Sequence, residues 1–223
     1  ADVASFVAPG GALDTEARSR GVTLYSPDQR ASLHPKTLNE SAGSLLAGTI
    51  KPAVLWEIDL DADGHQTTAT ARRAMVRSCE QLTYRQAQDR IDGNDGTVSL
   101  ELLREIGKLR QQIEADRGAI SLQLPAQEIS PRGDGDYELH YDTSMPVEGW
   151  NAQISLLTGM AAGQIMVEAG HGLLRTLPPL EKGTVKQVRR AARALDVDWP
   201  DGVSYPDRVR TLDPNTPSEA ALL

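Results

Sequence analysis

A single cysteine, Cys79, stands in a chain of 223 residues. That excludes an intrachain disulfide and agrees with a reducing compartment, so a cytoplasmic location is expected. Aromatic residues are scarce, at 4%, which leaves the core to aliphatic side chains. Positive charge is in deficit, with 23 Lys and Arg against 31 Asp and Glu and a net charge of -8. That balance weighs against a nucleic-acid binder, although a strand threaded through a narrow channel needs only a local basic lining. Long apolar runs are missing too. The most apolar stretch, Ile154 to Val167, is bordered by Gln153 and Glu168 and interrupted by Gln164, well short of the ~20 residues a membrane span needs. It reads as a buried helix, and no membrane partner is expected. No leader pattern, internal repeat or low-complexity linker stands out. A mean hydropathy of -0.37 and 24% charged residues are those of an ordinary globular protein.

What is present alternates short strand and helix signals. Val3 to Val7 alternates as a strand and stops at Pro9-Gly10-Gly11. A short helix follows, with Asp14 and Glu16 early, Arg18 and Arg20 late and Gly21 at its end, then a β-rich run, Val22 to Tyr25, closed by Ser26-Pro27-Asp28. Lys36 to Gly48 reads as short turns. Pro52 to Leu60 presents Val54, Trp56, Ile58 and Leu60 on one face and returns through Asp61-Ala62-Asp63-Gly64 as a hairpin with Gln66 to Val76. Helices are expected from Tyr84 to Ile91, from Thr97 to about Asp116 on a stripe of Val98, Leu102, Ile106, Leu109 and Ile113, from Pro146 to about Ala169 as the central buried helix, and from Glu181 to Leu195. Gly107 should cost its helix about 1 kcal/mol relative to alanine. Short strands are expected at Ser121 to Leu124, Gln127 to Ser130, Tyr137 to Tyr141 and Leu173 to Leu177, and a Pro- and Asp-rich surface segment beyond Asp196.

Several chemical patterns have plainer readings. Asp59-Leu60-Asp61-Ala62-Asp63-Gly64 imitates the start of a calcium-binding loop, but the twelfth position is Thr70 rather than glutamate and the flanks are strands, so a hairpin turn is expected. His34, His65, His140 and His171 lack metal-ligand spacing with one another and with Cys79. Lys182, Lys186, Arg189 and Arg193, with Arg190 beside them, make a basic helical stripe, either a solvated face or a phosphate-contacting one.

The succession ADV..FV.PG..LD.EA..RG...Y.PD....HP..L.E...SLL.G over Ala1 to Gly48 resembles the RNB domain, the catalytic domain of the ribonuclease II and ribonuclease R exoribonucleases. Shorter matches continue through Ile58 to Asp61 with Gly64, Leu82-Thr83-Tyr84, Arg117 to Ile120 with Leu124-Pro125, and Leu174-Arg175 with Pro178-Pro179. The resemblance implies an α+β fold, a mixed, largely antiparallel sheet surrounded by helices, with residues 1 to 223 as part of a single domain cut at both ends. It implies a magnesium-dependent enzyme that degrades single-stranded RNA from the 3′ end to nucleoside monophosphates, with no preference for DNA. The family's magnesium-binding aspartates precede the ADV strand, so Asp2 is at most a marginal partner of the metal and the chain as given is expected to be inactive. A non-catalytic RNA-binding module on the same scaffold is the alternative.

Four residues follow as RNA contacts. Tyr25 and Tyr84 match tyrosines that touch RNA in the family, where stacking on an aromatic face holds a base; otherwise each is a core or edge tyrosine. Gln153 falls where the family carries a glutamate that reads the ribose hydroxyl, and Glu148 is that acid if the register is shifted. Arg175 matches an arginine of the family and suits a phosphate or a buried carboxylate.

Overall fold

The computed structural model describes residues 1–26, 28–122, 126–133, 135–142, 144–176 and 180–223. Pro27, Leu124, Pro125, Leu177, Pro178 and Pro179 of the readings above lie outside the described residues, as does the side chain of Lys182. The chain divides into two compact units, the first comprising Ala1–Asp59, Gln66–Gln86 and Gln127–His140, the second Leu60–His65, Ala87–Ala126 and Tyr141–Leu223. The expected α+β class is borne out. The sheet, however, is present among the described residues as three two-stranded pieces, β1 with β2, β3 with β4 and β5 with β6.

The first unit opens on a difference from expectation. Val3–Ser5 is a turn of 3₁₀ helix rather than a strand. The Asp2 carboxylate accepts the Ser5 hydroxyl at 2.7 Å while the Ser5 N–H donates to the Asp2 carbonyl at 3.1 Å, and this local pairing outcompetes the extended conformation. Helix α1, Ala12–Arg20, forms as its charges predict. Asp14 accepts the Gly10 N–H at 2.8 Å and pairs with Arg18 one turn on, and Glu16 does the same with Arg20. The short β1, Leu24–Tyr25, runs antiparallel to β2, Arg30–Ala31, with Tyr25 opposite Arg30. Between them and the next strand, Thr37–Ala42 is helical in place of plain turns.

The long hairpin of β3, Ile50–Leu60, and β4, Gln66–Arg77, is where the alternation placed it, but its faces are not clean. Ala53 is buried and Val54 is exposed, while Trp56, Ile58 and Leu60 are half-buried, because an isolated two-stranded ladder has no second layer over its whole face. The second hairpin joins β5, Ala126–Pro131, to β6, Tyr137–Asp142, through an Arg132 N–H to Asp136 carbonyl bond of 2.8 Å. No strand occupies 121–122 or 173–176, and Leu173 is exposed.

The second unit is built on α3, Val98–Asp116, against α4, Pro146–Glu168, with the end of α2, Tyr84–Asp92, beside them. Ile91 and Val147 are buried to 1% exposure, and the Val147 N–H donates to Gln88 Oε1 at 3.0 Å. The stripe expected on α3 is rotated: Gly107, Arg110 and Glu114 are buried, whereas Val98 and Leu102 are exposed. Helix α4 is buried along one line only, Val147, Trp150, Gln153, Leu157 and Ala161, and its Leu156, Met160, Ile165 and Val167 are exposed, so it is not apolar-covered on most sides.

Helix α5, Lys182–Ala194, forms where it was expected and turns Ala192 fully inward. The surface segment expected beyond Asp196 is instead folded. Helices α6, Tyr205–Arg210, and α7, Pro217–Ala220, close a small core of Ala192, Val197, Val209 and Leu212 with Trp199, Tyr205 and Leu222 packed on it. Ser204 starts α6 by accepting the Asp207 N–H, and Pro206 suits the first turn of the helix. Prolines that read as surface punctuation here initiate helices.

At Gly107, α3 lies directly against Trp150 of α4. A Cβ there would lie 2.8 Å from the Trp150 Cα and 2.6 Å from its Cγ. The glycine is therefore required by packing, which reverses the sign expected from helix propensity. Gly107→Ala should destabilise the chain: overpacking costs about 1–3 kcal/mol, against a propensity gain of about 1 kcal/mol. Denaturant unfolding should show a lowered midpoint at unchanged slope, and a raised midpoint would mean that the helices part freely.

Candidate functional site

In the first unit, the β1–β2 turn opens a cleft of about 540 Å³ lined by Tyr25, Ser26, Asp28, Gln29, Arg30 and Lys36. The turn is closed by the Ser26 N–H donating to the Gln29 carbonyl at 2.8 Å. Tyr25 is 77% exposed, so its ring is not a core filler. It stands beside two cations. Arg30 is paired with Glu40 at 2.6 Å, and Lys36 is exposed. Tyr137, which the sequence reading did not single out, donates its hydroxyl to Asp28 at 3.2 Å and so bonds a residue of the cleft lining. An exposed ring flanked by cations can stack a flat base and attract the phosphate next to it.

Tyr84 is the first residue of α2 and is 47% exposed. Its place is set by a reciprocal cap: the Thr83 hydroxyl accepts the Gln86 N–H at 3.2 Å, and Gln86 Oε1 accepts the Thr83 N–H at 2.9 Å. Thr83-x-x-Gln86 is a legible signal for this helix start that the sequence reading passed over. Neither tyrosine is buried, so the core-residue alternative fails for both.

Gln153 and Arg175 belong to the second unit. Arg175 is exposed in 171–176, a stretch without strand or helix. Gln153 is 4% exposed and lines a cleft of about 260 Å³ with Gln111, Glu114, Ala115, Ser121, Gly149, Ala152 and Arg210. Its amide nitrogen donates to Glu114, which accepts the Ser121 hydroxyl on its other oxygen at 2.6 Å. Arg210 is anchored by Asp207 at 2.8 Å and by the carbonyls of Ala115 and Ala119 at 3.0 and 2.9 Å. Glu148, the alternative ribose reader, is engaged elsewhere, with its Oε1 accepting the Met145 N–H at 2.8 Å at the start of α4.

Other candidates resolve into structure. Arg189 of the basic stripe folds over the Trp199 ring at 4.5 Å and donates to the Val203 carbonyl at 2.8 Å, whereas Lys186, Arg190 and Arg193 are exposed. The calcium-like segment is the hairpin turn: Asp61 Oδ1 accepts the N–H groups of Asp63 and His65 at 3.0 and 2.8 Å, and Gly64 takes the left-handed φ of +84° that ends it. Among the described residues no three side chains of the His, Cys, Asp or Glu type converge to hold a metal ion, so those residues do not fit a magnesium centre. Arg110 is buried with its Nη1 donating to the Gly64 carbonyl at 3.1 Å and its Nε unpartnered; burial, and then the like charge of Arg117, push its pKa down.

Asp2 has a structural task. Besides Ser5 it meets Arg73 Nε at 2.9 Å, and its N–H donates to the Pro52 carbonyl at 3.0 Å, which ties the start of the chain to β3. The Ser5 hydroxyl, followed by Arg73, holds its carboxyl below the usual carboxylate range despite burial.

A family model described as RNB domain matches residues 1–214. The chain is 30% identical over 209 residues to the exosome complex exonuclease RRP44 homolog A of Arabidopsis thaliana, which covers 87% of this chain and 22% of that protein. It is 36% identical over 143 residues to a protein of the same plant named Inactive exonuclease DIS3L2, covering 55% of this chain and 13% of the relative. Among solved structures, Mycoplasma genitalium RNase R in complex with ribose methylated single-stranded RNA superposes with a TM-score of 0.85 at 20% identity, over 100% of this chain and 37% of that one. At that identity the likeness shows a shared fold. The chain spans about a fifth of the length of the first of these relatives and less of the second.

The Asp2 arrangement makes stability depend on pH with a definite sign. A depressed folded pKa gives stabilisation that is fully present above the unfolded value of about 3.9 and is lost as pH falls through the folded value. The stability gap between the native chain and Asp2→Asn should therefore narrow as pH is lowered from about 5 toward 3. Urea unfolding across that range checks this, and a gap constant with pH would show that the charge of Asp2 does not matter.

Proposed function

The chain belongs to the RNB-domain family, and on that premise we propose that it supplies RNA-contacting side chains to a 3′-to-5′ exoribonuclease that degrades single-stranded RNA to nucleoside monophosphates with magnesium. The observation that carries the reading is the cleft at Tyr25. In a chain with 4% aromatic residues, one ring is left 77% exposed in an open cleft beside Arg30 and Lys36. Burying that ring in a core would be worth about 1.5–3 kcal/mol. Its exposure suits a ring that packs on something other than its own chain. A base stacked on it gains about 1–3 kcal/mol without regard to sequence, which is what an enzyme that advances along a strand requires.

In this reading Tyr25 and Tyr84 are stacking platforms, Gln153 meets a ribose and Arg175 meets a phosphate. Magnesium, when bound in the complete protein, supplies the activation of water and the stabilisation of the leaving oxygen. The described residues hold no cluster fit for it, and their part is to bind and orient the strand. The relative named as inactive shows that sequence similarity to this chain extends to a protein called inactive, and a non-catalytic RNA-binding protein is the second reading.

Tyr25→Ala and Tyr84→Ala in the full-length protein should each weaken single-stranded RNA binding by about 1–3 kcal/mol while leaving the melting temperature unchanged. Unchanged affinity would remove that tyrosine from the interface, and a collapse of the melting temperature would make it structural. Labelled single-stranded RNA incubated with residues 1–223 and magnesium should yield no mononucleotides, whereas the full-length protein should release them from the 3′ end. Cleavage by residues 1–223 would contradict the assignment of these residues to binding alone. Tight binding by the full-length protein without release would decide for the second reading.

A further inference from the structure

The cleft at Gln153 has a polarity that can be worked out from its hydrogen bonds. A carboxylate only accepts, so the amide edge that Gln153 turns to Glu114 must be its N–H edge. The other Glu114 oxygen is engaged by the Ser121 hydroxyl at 2.6 Å. Arg210, across the cleft, has its Nη1 on Asp207 and its Nη2 on two carbonyls. Gln153 Oε1 is left as an acceptor that takes no donor among the described residues, on a side chain only 4% exposed. The small residues Gly149 and Ala152 keep that stretch of α4 low, and the cleft of about 260 Å³ stands over it.

We infer that Glu114 is a positioning residue for substrate selection: it locks the Gln153 amide so that the cleft offers an acceptor and selects a nucleotide by a hydroxyl that donates. The inference rests on the RNA-binding reading above. A glutamine free to turn would offer a donor or an acceptor and would discriminate poorly between a hydroxyl and other 2′ substituents. Held by Glu114, it presents oxygen alone. On a ribose within a strand the 2′-hydroxyl is the group that can donate to it, and it is the group that DNA lacks. Glu114 thus gives a neutral amide the one-sided acceptor character that a carboxylate would have, without placing a second negative charge in a chain of net charge -8. It follows that Gln153→Glu would set two carboxylates within hydrogen-bond reach, which then share a proton rather than simply strengthening the site.

The test uses the full-length protein and matched single strands carrying 2′-hydroxyl, 2′-fluoro, 2′-O-methyl or 2′-deoxy sugars, of which only the first can donate. The native protein should favour the hydroxyl strand over the fluoro strand by about threefold to tenfold, the worth of one net hydrogen bond. Glu114→Ala should lower that ratio toward one, because the released amide can turn, while Glu114→Gln, which can still accept from Gln153, should keep most of it. Melting temperatures of the variants separate a loss of fold from a loss of selection. A ratio near one in the native protein, or an undiminished ratio in a folded Glu114→Ala, would overturn the inference and leave the RNA-binding reading standing. Failure of the native protein to bind any of the strands would overturn both.

Discussion

The contact of Gly107 with Trp150 is the constraint on which the second unit depends. With no side chain at Gly107, α3 approaches the backbone of α4 closely enough that a methyl group there would meet the Trp150 Cα at 2.8 Å. Two consequences follow along the same pair of helices. Glu114 reaches Gln153, and Arg110 and Arg117 both reach the Met160 sulfur, at 3.7 and 3.3 Å. Glu114 and Gln153 are thus brought together in a buried seam, where a polar group without its partner costs about 1–3 kcal/mol, whereas Arg117 meets the half-exposed Met160 at its exposed edge. Close packing brings Glu114 and Gln153 into partnership in this seam, while Arg110 keeps its Nε unpartnered there.

The first unit solves a different problem with the same economy of aromatic residues. Among the described residues Ala53 alone is buried on the strands of its long hairpin, and side chains there are held by pairs across the strands, such as Glu57 with Arg72 at 2.9 Å. A short hairpin of this kind presents the side chains of its turn to solvent. Tyr25 sits at such a turn, and Arg30, directly opposite, orients by its bond to Glu40. The exposed ring is thus a product of the architecture, with Arg30 and Lys36 in the same cleft.

Elements with a strong period or a marked turn were legible in the sequence. The hairpin at Asp61 to Gly64, helices α1, α3, α4 and α5 and the β5–β6 pair all formed within a few residues of their expected places. What escaped had competing local bonds or depended on distant partners. The start of the chain alternates like a strand, but Asp2 and Ser5 satisfy one another in a turn. The segment after Asp196 has the composition of a loop, yet Pro206 and Pro217 sit at helix starts, and Trp199, Val209 and Leu212 find a core with Ala192. Of the candidate site, Tyr25 and Tyr84 could be marked by resemblance, and both are exposed. Glu114 could not be singled out, because nothing in an amphipathic helix pattern distinguishes a buried glutamate that holds a glutamine 39 residues away.

The electrostatics then limit how such a chain holds a polyanion. Many of its cations are already matched: Arg18, Arg20, Arg30, Arg72, Arg73 and Arg208 pair with carboxylates, and Arg189 covers a tryptophan. An arginine in a good ion pair gives up part of that pair's energy when it turns to a phosphate, so its net gain is small. On the proposed reading, affinity then rests on stacking, on neutral hydrogen bonds and on the cations outside these pairs, such as Lys36 and Arg175. Stacking is indifferent to sequence, and a fixed acceptor such as Gln153 Oε1 is sensitive to the sugar. In the proposed reading, stacking at Tyr25 in the first unit accepts any base, whereas the acceptor at Gln153 in the second unit responds to whether a sugar can donate.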